Sequence, residues 1–489
     1  MNADSEGAGG EGDFRVHWVI LADAVLATVL VHAPHGLPFN WDDQGQYLSH
    51  ARALIEGRPY TDIGFIYTTY NNFIGPVAEP PGFPVLIAPA LAISGPGLVP
   101  VRGVLVVSLI LLLWLTWRFV ESRAGMWNAT AATLMSLGML SSLHTLDGIM
   151  SDLPFLAAIC GVIVAADEDG PLSRRRLVVM AVAGALAFSF RMAALPLLPA
   201  MMLMILGRPR REWKGLSLVG LVWMVAAALS MFAVPAASAL GGEMSRDWSK
   251  IVHDMRLNLV AIRFGFLDTT LYPFGSNLGN DVWHGVATLL AIMGLWHVRR
   301  TGVRRFAWLF AFSCLVMLIL LPTRSSRYWW PMVPLQSLLI VGGFASVLRS
   351  VRVRAIPQWT PTFLVAVLFA FALRRAVPEP AVPFAKREDV AAVIAALHEA
   401  SPEEYPRVAI YSPRLLTWHT RIPAMGQFEA TPDQVLAELR DKRIAFLVRG
   451  SLGEFPIIDA AVDLAVAQRP DGYQRLGTYG RLTLFRVIP

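Results

Sequence analysis

The apolar residues of this chain fall into long blocks, and short clusters of arginine separate those blocks. A helix that crosses a bilayer needs about 20 mostly apolar residues, because no backbone polar group can remain unpaired in hydrocarbon. Of the 489 residues, 55% are hydrophobic and 16% are charged, whereas a soluble domain has about 25% charged residues. This pattern predicts a polytopic membrane protein and excludes an ordinary soluble enzyme.

About 11 segments are apolar enough to be membrane spans. They cover approximately residues 16–31, 102–120, 127–146, 153–166, 177–190, 192–207, 216–238, 282–298, 306–321, 331–348 and 359–376. The fifth and sixth of these are short, and Arg191 interrupts them. Asp23 lies inside the first span, and because a charge is costly in lipid we predict that its side chain faces the interior of the bundle.

The loops between these segments alternate in their content of arginine. Basic clusters occur at 118–123, 174–176, 208–214, 299–305 and 349–354, whereas the alternate loops, at 34–100, 147–152, 239–281 and 322–330, are long or poor in arginine. Lys and Arg favour the cytoplasmic loops of membrane proteins. We therefore predict a multi-pass protein of the inner (plasma) membrane with a cytoplasmic N-terminus and an extracytoplasmic C-terminus.

The composition changes after Pro378, where charged residues become as frequent as in soluble domains. The patterns there predict helices over 387–400 and 431–440, strands over 408–411 and 444–448, and a terminal hairpin over 476–487. The predicted fold class is therefore an all-α polytopic membrane bundle of about 11 transmembrane helices with a small α/β domain at the C-terminus. The bundle covers residues 1–377 and the extracytoplasmic α/β domain covers 378–489.

Two adjacent carboxylates, Asp42 and Asp43, follow the first span in the loop over 34–100 and precede a segment with helical periodicity. A carboxylate at the boundary between water and lipid is partly desolvated, which raises its pKa toward the range of a general base. The same position also suits a helix N-cap, because an aspartate there accepts hydrogen bonds from the first turn. From the residues alone, both interpretations stay open.

A proline-rich turn with the sequence Glu-Pro-Pro-Gly-Phe-Pro begins at Glu79 in the same loop. The apolar run that follows it, up to Ile93, has only about a dozen residues and is too short to span the bilayer, so we predict a helix at the outer interface. Glu79 is either solvated at this turn or directed into a site.

The order of three segments in this loop resembles the GT-C superfamily of membrane glycosyltransferases. The segments are Asp-Asp-x-x-x-Tyr from Asp42, Ala-Arg-x-Leu-x-x-Gly-Arg-Pro-Tyr from Ala51, and Pro-Pro-Gly-Phe-Pro from Pro80. The resemblance is nearest to the protein O-mannosyltransferases and to the aminoarabinose transferases of lipid A. It covers approximately residues 14–376 in layout and implies a polytopic enzyme that uses a polyprenyl-phosphate sugar.

The resemblance also implies a catalytic carboxylate in the first external loop. In the family an Asp-Glu pair is followed by Tyr, and alignment on Tyr47 makes Asp43 the catalytic residue. Gln44 replaces the second acid of the pair, so Asp42 either compensates for it or serves as a cap. The same alignment implies that Tyr47 contacts the substrate.

Two further acids match positions of the family. Glu79 falls where the aminoarabinose transferases have a Glu before their proline motif, and Asp152 has the family's Ser-Asp/Glu-x-x-Phe context at the turn between the third and fourth spans. The resemblance implies that both contact substrate. Asp152 equally suits the N-cap of the fourth span.

A basic and aromatic turn with the sequence Arg-Ser-Ser-Arg-Tyr-Trp-Trp-Pro begins at Arg324, before the tenth span. The resemblance assigns this Arg-Tyr-x-x-Pro-x-x-Pro region to substrate binding by Arg324, Arg327 and Tyr328. Two guanidinium groups at this boundary are suited to the phosphate of a lipid carrier. The alternative is an interfacial belt of arginine and tryptophan.

The leading functional prediction is therefore an inverting glycosyl transfer on the extracytoplasmic face of the membrane. The donor would be a polyprenyl-phosphate-linked sugar, and the acceptor a hydroxyl of a lipid, glycan or protein. A divalent metal is possible, and no other cofactor is expected. The basic residues occur in short loops between the spans, which is typical of membrane topology signals and not of a nucleic-acid binding surface. The alternative is a polytopic transporter or lipid flippase, for which charged residues within the spans would be suited.

Overall fold

The structure of the protein is a computed structural model. It describes residues 9–32, 42–68, 70, 79–94, 98–142, 145–167, 172–233, 277–301, 305–320, 326–350, 357–375, 384–401, 406–428, 430–450 and 456–489. Among the predicted site residues, Arg324 and the side chains of Arg327 and Tyr328 lie outside this described part.

The N-terminal part of the chain is helical, as the apolar blocks predict. Its α-helices are α1 Gly9–His32, α2 Asp42–Ile55, α3 Gly82–Ser94, α4 Val99–Ala124, α5 Met126–Ser142, α6 Asp152–Asp167, α7 Arg174–Phe190, α8 Leu197–Gly207, α9 Arg210–Ala233, α10 Asn277–Thr301, α11 Arg305–Leu320, α12 Val333–Ser350 and α13 Thr360–Arg375. Short 3₁₀ helices, Met192–Ala194 and Ser326–Met332, precede α8 and α12. A helix forms in every segment predicted to span the bilayer, and α3 begins at Gly82, within the proline-rich motif.

Four segments of the described chain are long and apolar enough to cross a membrane: Phe14–His32, Val99–Ala124, Arg210–Ser230 and Trp329–Leu348. Other apolar helices, such as Phe306–Val316, are shorter. The count of about 11 transmembrane helices stays a prediction.

The outward position of Asp23 differs from the prediction. The inward face of α1 is a stripe at helical spacing formed by His17, Leu21, Ala24 and Thr28, all of which are buried. Asp23 lies off this stripe and is exposed. The prediction that it faces the interior of the bundle is therefore wrong. Only residues three or four positions apart share the narrow buried face of α1, and Asp23 is not at one of those positions.

Two glycines allow α10 and α12 to cross in close contact. A Cβ atom added at Gly294 would lie 1.8 Å from the carbonyl oxygen of Leu339, and one added at Gly343 would lie 1.8 Å from that of Leu290. Small residues at such a crossing let two backbones approach directly, which increases the van der Waals contact between helices.

A six-stranded sheet joins the C-terminal segment to the first loop, over 34–100. Its strands are β1 Phe65–Ile66, β2 Val408–Ile410, β3 Ala424–Gly426, β4 Phe446–Arg449, β5 Tyr473–Tyr479 and β6 Leu482–Val487, in the order β1-β3-β2-β4-β6-β5. The first four strands pair in parallel, and β5 and β6 add an antiparallel hairpin. Because β1 comes from the first loop, that loop and the C-terminal segment share one sheet.

Helices cover both faces of this sheet. The C-terminal helices are α14 Glu388–Ala400, α15 Pro413–Thr420, α16 Pro432–Asp441 and α17 Pro456–Gln468. Apolar residues of α14 and α15 are buried on one face, and those of α16 and α17 on the other. The result is a three-layer arrangement, whose limits as a separate domain stay a prediction.

The elements predicted after Pro378 are present with small shifts of their ends. They are α14, α16, β2, β4 and the β5–β6 hairpin. At the start of α16, Thr431 Oγ1 accepts a hydrogen bond from the backbone N–H of Gln434, and Gln434 Oε1 accepts one from the backbone N–H of Thr431. This capping box satisfies two N–H groups at the helix terminus. The prediction missed α15, α17, β1 and β3.

Candidate active site

The two adjacent aspartates begin α2, and the N-terminus of α15 faces them. Asp42 Oδ1 accepts hydrogen bonds from the backbone N–H groups of Arg414, at 3.1 Å, and Leu415, at 3.0 Å. Nη1 of Arg414 donates to Asp43 Oδ1 at 2.7 Å. The carboxylate pair therefore contacts both the backbone N–H groups at the N-terminus of α15 and the guanidinium of Arg414.

Asp42 caps a helix, but that helix is α15 rather than its own. Its Oδ1 accepts two hydrogen bonds, and its Oδ2 is buried without a hydrogen-bond partner among the described residues. Burial raises the pKa of Asp42 to about 7, and the charge of Asp43 adds to this rise, whereas Arg414 and the two N–H groups lower it. The desolvation that we predicted for the pair is thus found at Asp42.

Asp43 is the more accessible of the two carboxylates. Its side chain retains 34% of its exposure, compared with 18% for Asp42 and 1% for Arg414. A general base must reach the proton that it removes. Asp43 meets this condition better than Asp42, whose oxygens are engaged or buried.

Contacts along the whole length of α2 hold it against α15. A Cβ atom at Gly45 would lie 2.6 Å from the carbonyl oxygen of Arg414, so the two backbones touch there. About two turns further on, the guanidinium of Arg52 stacks 3.7 Å from the ring centre of Trp418 and donates to its carbonyl oxygen at 2.9 Å. An Arg421–Glu56 ion pair of 2.8 Å closes the far end.

Tyr47 links α2 to two neighbouring segments. It is buried, its ring meets the ring of Phe83 edge-on at 5.0 Å, and its hydroxyl lies 2.9 Å from Oγ of Ser151. The Phe of the proline motif therefore packs on the Tyr of the aspartate motif. These contacts give Tyr47 a positioning role, and substrate contact by Tyr47 stays a prediction.

The backbone of Glu79 is held from both sides by residues of the first loop. The hydroxyl of Tyr60 donates to the carbonyl oxygen of Glu79 at 2.7 Å, and the N–H of Glu79 donates to Nε2 of His50 at 3.4 Å. Nδ1 of His50 donates to the carbonyl oxygen of Tyr60 at 2.8 Å, and the two rings stack. His50 thus fixes the half-buried Glu79 next to α2, and substrate contact by its carboxylate stays a prediction.

His50 gives the protein a specific dependence on pH. Burial lowers the pKa of His50 to about 4, whereas an unfolded histidine has a pKa of about 6.5. The unfolded state therefore gains protons first as the pH falls, so the stabilisation is complete above pH 6.5 and is lost between about 6.5 and 4. We expect His50 to make the free energy of unfolding fall by about 3 kcal/mol over that interval.

The measurement is the free energy of unfolding in detergent at several pH values for the protein and for His50→Gln. Because Asp42 titrates in the opposite sense, with a raised pKa, the informative quantity is the difference between the two proteins at each pH. A difference that stays constant from pH 7 to pH 4 would contradict a neutral, buried His50.

Asp152 pairs with the arginine that interrupts the fifth and sixth apolar segments. It lies in the first turn of α6, is 2% exposed, and forms an ion pair with Arg191. Arg191 follows the end of α7 in an extended conformation and donates its N–H to the carbonyl oxygen of Ala187. The charge that breaks the apolar run is therefore neutralised within the protein, and substrate contact by Asp152 stays a prediction.

The turn before α6 also contacts α2. The backbone N–H of Ile149 donates to Oε1 of Gln44 at 3.3 Å. Asp147, in the same turn, lies 2.6 Å from Nδ1 of His32 at the end of α1, and Nε2 of His32 lies 2.8 Å from Oγ of Ser141. These three side chains are buried. They connect the C-terminal ends of α1 and α5 with the turn that precedes α6.

Four of the residues predicted from the sequence lie in α2 or next to it in the structure: Asp42, Asp43, Tyr47 and Glu79. Sequence reasoning missed Arg414, His50 and Arg52 as site-forming residues. Arg52 and His50 lie in the predicted helix, where the spacing could have placed them on faces of α2. Arg414 has no signal in the sequence, because only the packing of α15 brings it to the aspartates.

The predicted carrier-phosphate residues are only partly described. The backbone of Arg327 and Tyr328 lies in the 3₁₀ helix Ser326–Met332, which packs against α6. Phosphate binding by Arg324, Arg327 and Tyr328 stays a prediction.

The described residues offer little for a divalent metal. No group of three or more His, Cys, Asp or Glu side chains lies together within the described ranges. Divalent cations such as Mg²⁺ and Ca²⁺ prefer several open oxygen ligands, whereas Oδ1 of Asp42 is occupied by two N–H groups and Asp43 is paired with Arg414. The carboxylate pair in this arrangement does not fit such an ion.

Comparison with solved structures gives similar folds over almost the whole chain. ArnT from Cupriavidus metallidurans bound to undecaprenyl phosphate has a TM-score of 0.61 and 13% identity, with 96% of this chain and 97% of that chain covered. The same protein in the apo state gives 0.62 and 15%, over 97% and 98%. The Archaeoglobus fulgidus oligosaccharyltransferase tethered to an acceptor peptide gives 0.59 and 13%, over 95% and 73%.

These similarities confirm the predicted resemblance at the level of the fold: over almost its whole length the chain has the fold of ArnT and of the archaeal oligosaccharyltransferase. No protein-family model matches its sequence, and no curated protein sequence matches it either.

Proposed function

We propose that this chain is an integral-membrane glycosyltransferase. In the proposal it moves a sugar from a polyprenyl-phosphate donor to an acceptor hydroxyl on the extracytoplasmic face, with inversion at the anomeric carbon. The observation that carries the proposal is the accessible Asp43 in the first turn of α2, whose Oδ1 accepts a hydrogen bond from Nη1 of Arg414 at 2.7 Å. The shared fold supports it, since ArnT has been solved with undecaprenyl phosphate and the archaeal oligosaccharyltransferase with dolichol-phosphate.

Asp43 is the general base in this proposal. Its carboxylate takes the proton of the acceptor hydroxyl while that oxygen forms a bond to the anomeric carbon. The bond from this carbon to the phosphate oxygen breaks, and the polyprenyl phosphate departs with the bonding electrons. Attack from the face opposite the leaving group inverts the configuration. Cleavage of the sugar–phosphate bond of the donor supplies the driving force, so no nucleotide takes part.

The leaving phosphate needs positive charge on the extracytoplasmic side. Arg324 and Arg327 are the proposed source, because a guanidinium can bind a phosphate through two parallel hydrogen bonds. Tyr328, Glu79 and Asp152 are proposed to line the donor or acceptor site next to them. These assignments rest on the sequence resemblance and on the placement of Glu79 and Asp152 beside α2 and α6.

The proposal is tested with the full-length protein in liposomes. The probe is undecaprenyl phosphate that carries a radiolabelled sugar, with a lipid extract, a peptide mixture or an oligosaccharide as acceptor. We expect label in a new product that survives the mild acid that cleaves the donor. Movement of the labelled donor across the bilayer with no new product would instead support a transporter or flippase.

The orientation of the chain is a separate part of the proposal. A reporter that fluoresces only in the cytoplasm should be dark when fused after Pro489, because the arginine-rich loops are expected to stay inside. The same reporter fused after Arg176 should fluoresce. A bright, full-length fusion at Pro489 would place α2 and both aspartates on the wrong side of the membrane.

A further inference from the structure

We infer that Arg414, supplied by the C-terminal segment, is a positioning residue that orients the Asp42–Asp43 pair for catalysis. The consequence for catalysis rests on the proposed function, whereas the contacts themselves do not. The active site is then complete only when α15 is docked on α2. The C-terminal segment is part of the catalytic unit in this inference.

The contacts of Arg414 join it to both carboxylates. Its Nη1 donates to Asp43 Oδ1 at 2.7 Å, and its Nε lies 3.9 Å from Asp42 Oδ2. Its backbone N–H donates to the other oxygen of Asp42. One residue thus meets two adjacent acids through its side chain and its main chain, across a separation of 371 residues from Asp43 in the sequence.

The burial of Arg414 excludes direct contact with a bulky donor. Its side chain is 1% exposed, and its guanidinium lies 4.8 Å from the ring centre of Phe65, in strand β1. The side chain of Asp43, in contrast, retains 34% of its exposure. The positive charge therefore acts on the donor or acceptor through Asp43.

The N-terminus of α15 adds to the field of the guanidinium. The N–H groups of Arg414 and Leu415 point at Asp42, and the positive end of a helix dipole favours an anion at this position. Two adjacent carboxylates without a cation would repel each other and would retain a proton more strongly. Arg414 thus keeps the pair in a state in which Asp43 can accept a proton from the acceptor.

The docking of α15 is built from residues that the carboxylates do not touch. Gly45 allows the backbones to meet, Arg52 stacks on Trp418, and Glu56 pairs with Arg421. Strand β1 extends the sheet through its register of Phe65 with Ala424. This second set of contacts makes it possible to remove Arg414 while α15 stays docked.

The test uses Arg414→Gln and Arg414→Lys in the full-length protein, with Arg421→Gln as the matched control. Arg421 lies at the same α2–α15 interface, but it pairs with Glu56 at the end far from the aspartates. The measurements are the rate of sugar transfer from pH 6 to pH 9, and thermal unfolding in detergent. We expect Arg414→Gln to lower the rate at pH 7 by a factor of about ten or more.

The pH profile separates positioning from a merely structural role. When the cation is lost, the acidic limb of the rate should move to higher pH, so that part of the activity returns at pH 9. The titratable and charged groups that act on Asp42 are Arg414 and Asp43, and His50 nearby is neutral across this range. Arg414→Lys should restore part of the rate at pH 7, and Arg421→Gln should keep both rate and profile.

An unchanged rate and profile in Arg414→Gln would overturn the inference, as would an equal loss at every pH in a protein with a lowered unfolding midpoint. If the original protein transfers no sugar, the proposed function fails instead. In that case a double-mutant cycle between Arg414→Gln and Asp43→Asn, followed by unfolding, still measures the coupling of the two residues. Strictly additive effects in that cycle would overturn the inference independently.

Discussion

Replacement of Asp43 by asparagine should reduce turnover by about 10² to 10⁴, because the amide cannot accept the proton of the acceptor. Asparagine keeps the shape of the side chain and can still accept a hydrogen bond from Arg414 Nη1. The protein level, the unfolding midpoint and the affinity for the donor should therefore remain close to those of the original protein. The measurement is the single-turnover rate of sugar transfer at saturating donor.

Asp42→Asn is the matched control for this substitution. The Asn oxygen can still accept from the backbone N–H groups of Arg414 and Leu415, so α15 should remain capped and the rate should fall by less than about tenfold. If Asp42→Asn abolishes turnover and Asp43→Asn does not, the base is Asp42 and the alignment on Tyr47 is shifted by one residue. If neither change slows the reaction, the base lies elsewhere.

Gly294→Leu should destabilise the helix bundle by about 3 kcal/mol or more, since overpacking against backbone cannot be relieved by rotating a side chain. Already the first added carbon would lie 1.8 Å from the carbonyl oxygen of Leu339. The helices α10 and α12 would have to separate. We expect a lower yield and a lower midpoint of thermal unfolding in detergent.

Gly285→Leu in the same helix is the control. Nothing among the described residues lies within 4 Å of a Cβ at Gly285, and this position is exposed. Both substitutions carry the same change in helix propensity, so the difference between them isolates the crossing. Equal unfolding midpoints for the two variants would show that α10 and α12 do not cross at Gly294.

The apolar pattern predicted helices more reliably than it predicted which face of a helix is buried. Each of the 11 predicted spans contains a helix, because length and hydropathy are properties of a local segment. Asp23 was predicted to face inward and is exposed. The direction of one side chain depends on which stripe of α1 packs against α5. The general cost of a charge in lipid does not specify that stripe.

The C-terminal segment shows the same difference between features that local sequence sets and features that packing sets. The helix predicted over 431–440 is present as α16, and its capping box is built from residues close in sequence. Helix α15, of eight residues, was missed. It is short and has little periodicity to detect, and contacts with α2 and the sheet stabilise it.

The sequence by itself determined the membrane class of this protein, its helical segments, the pair Asp42–Asp43 and the proline motif at Glu79, because each depends on residues that are near neighbours in the chain. Only the tertiary structure decided that Asp42 caps α15, that Asp43 remains accessible and that Arg414 contacts both aspartates. Contacts between residues 371 positions apart depend on how the sheet and its helices pack, and no local pattern in the sequence encodes that packing.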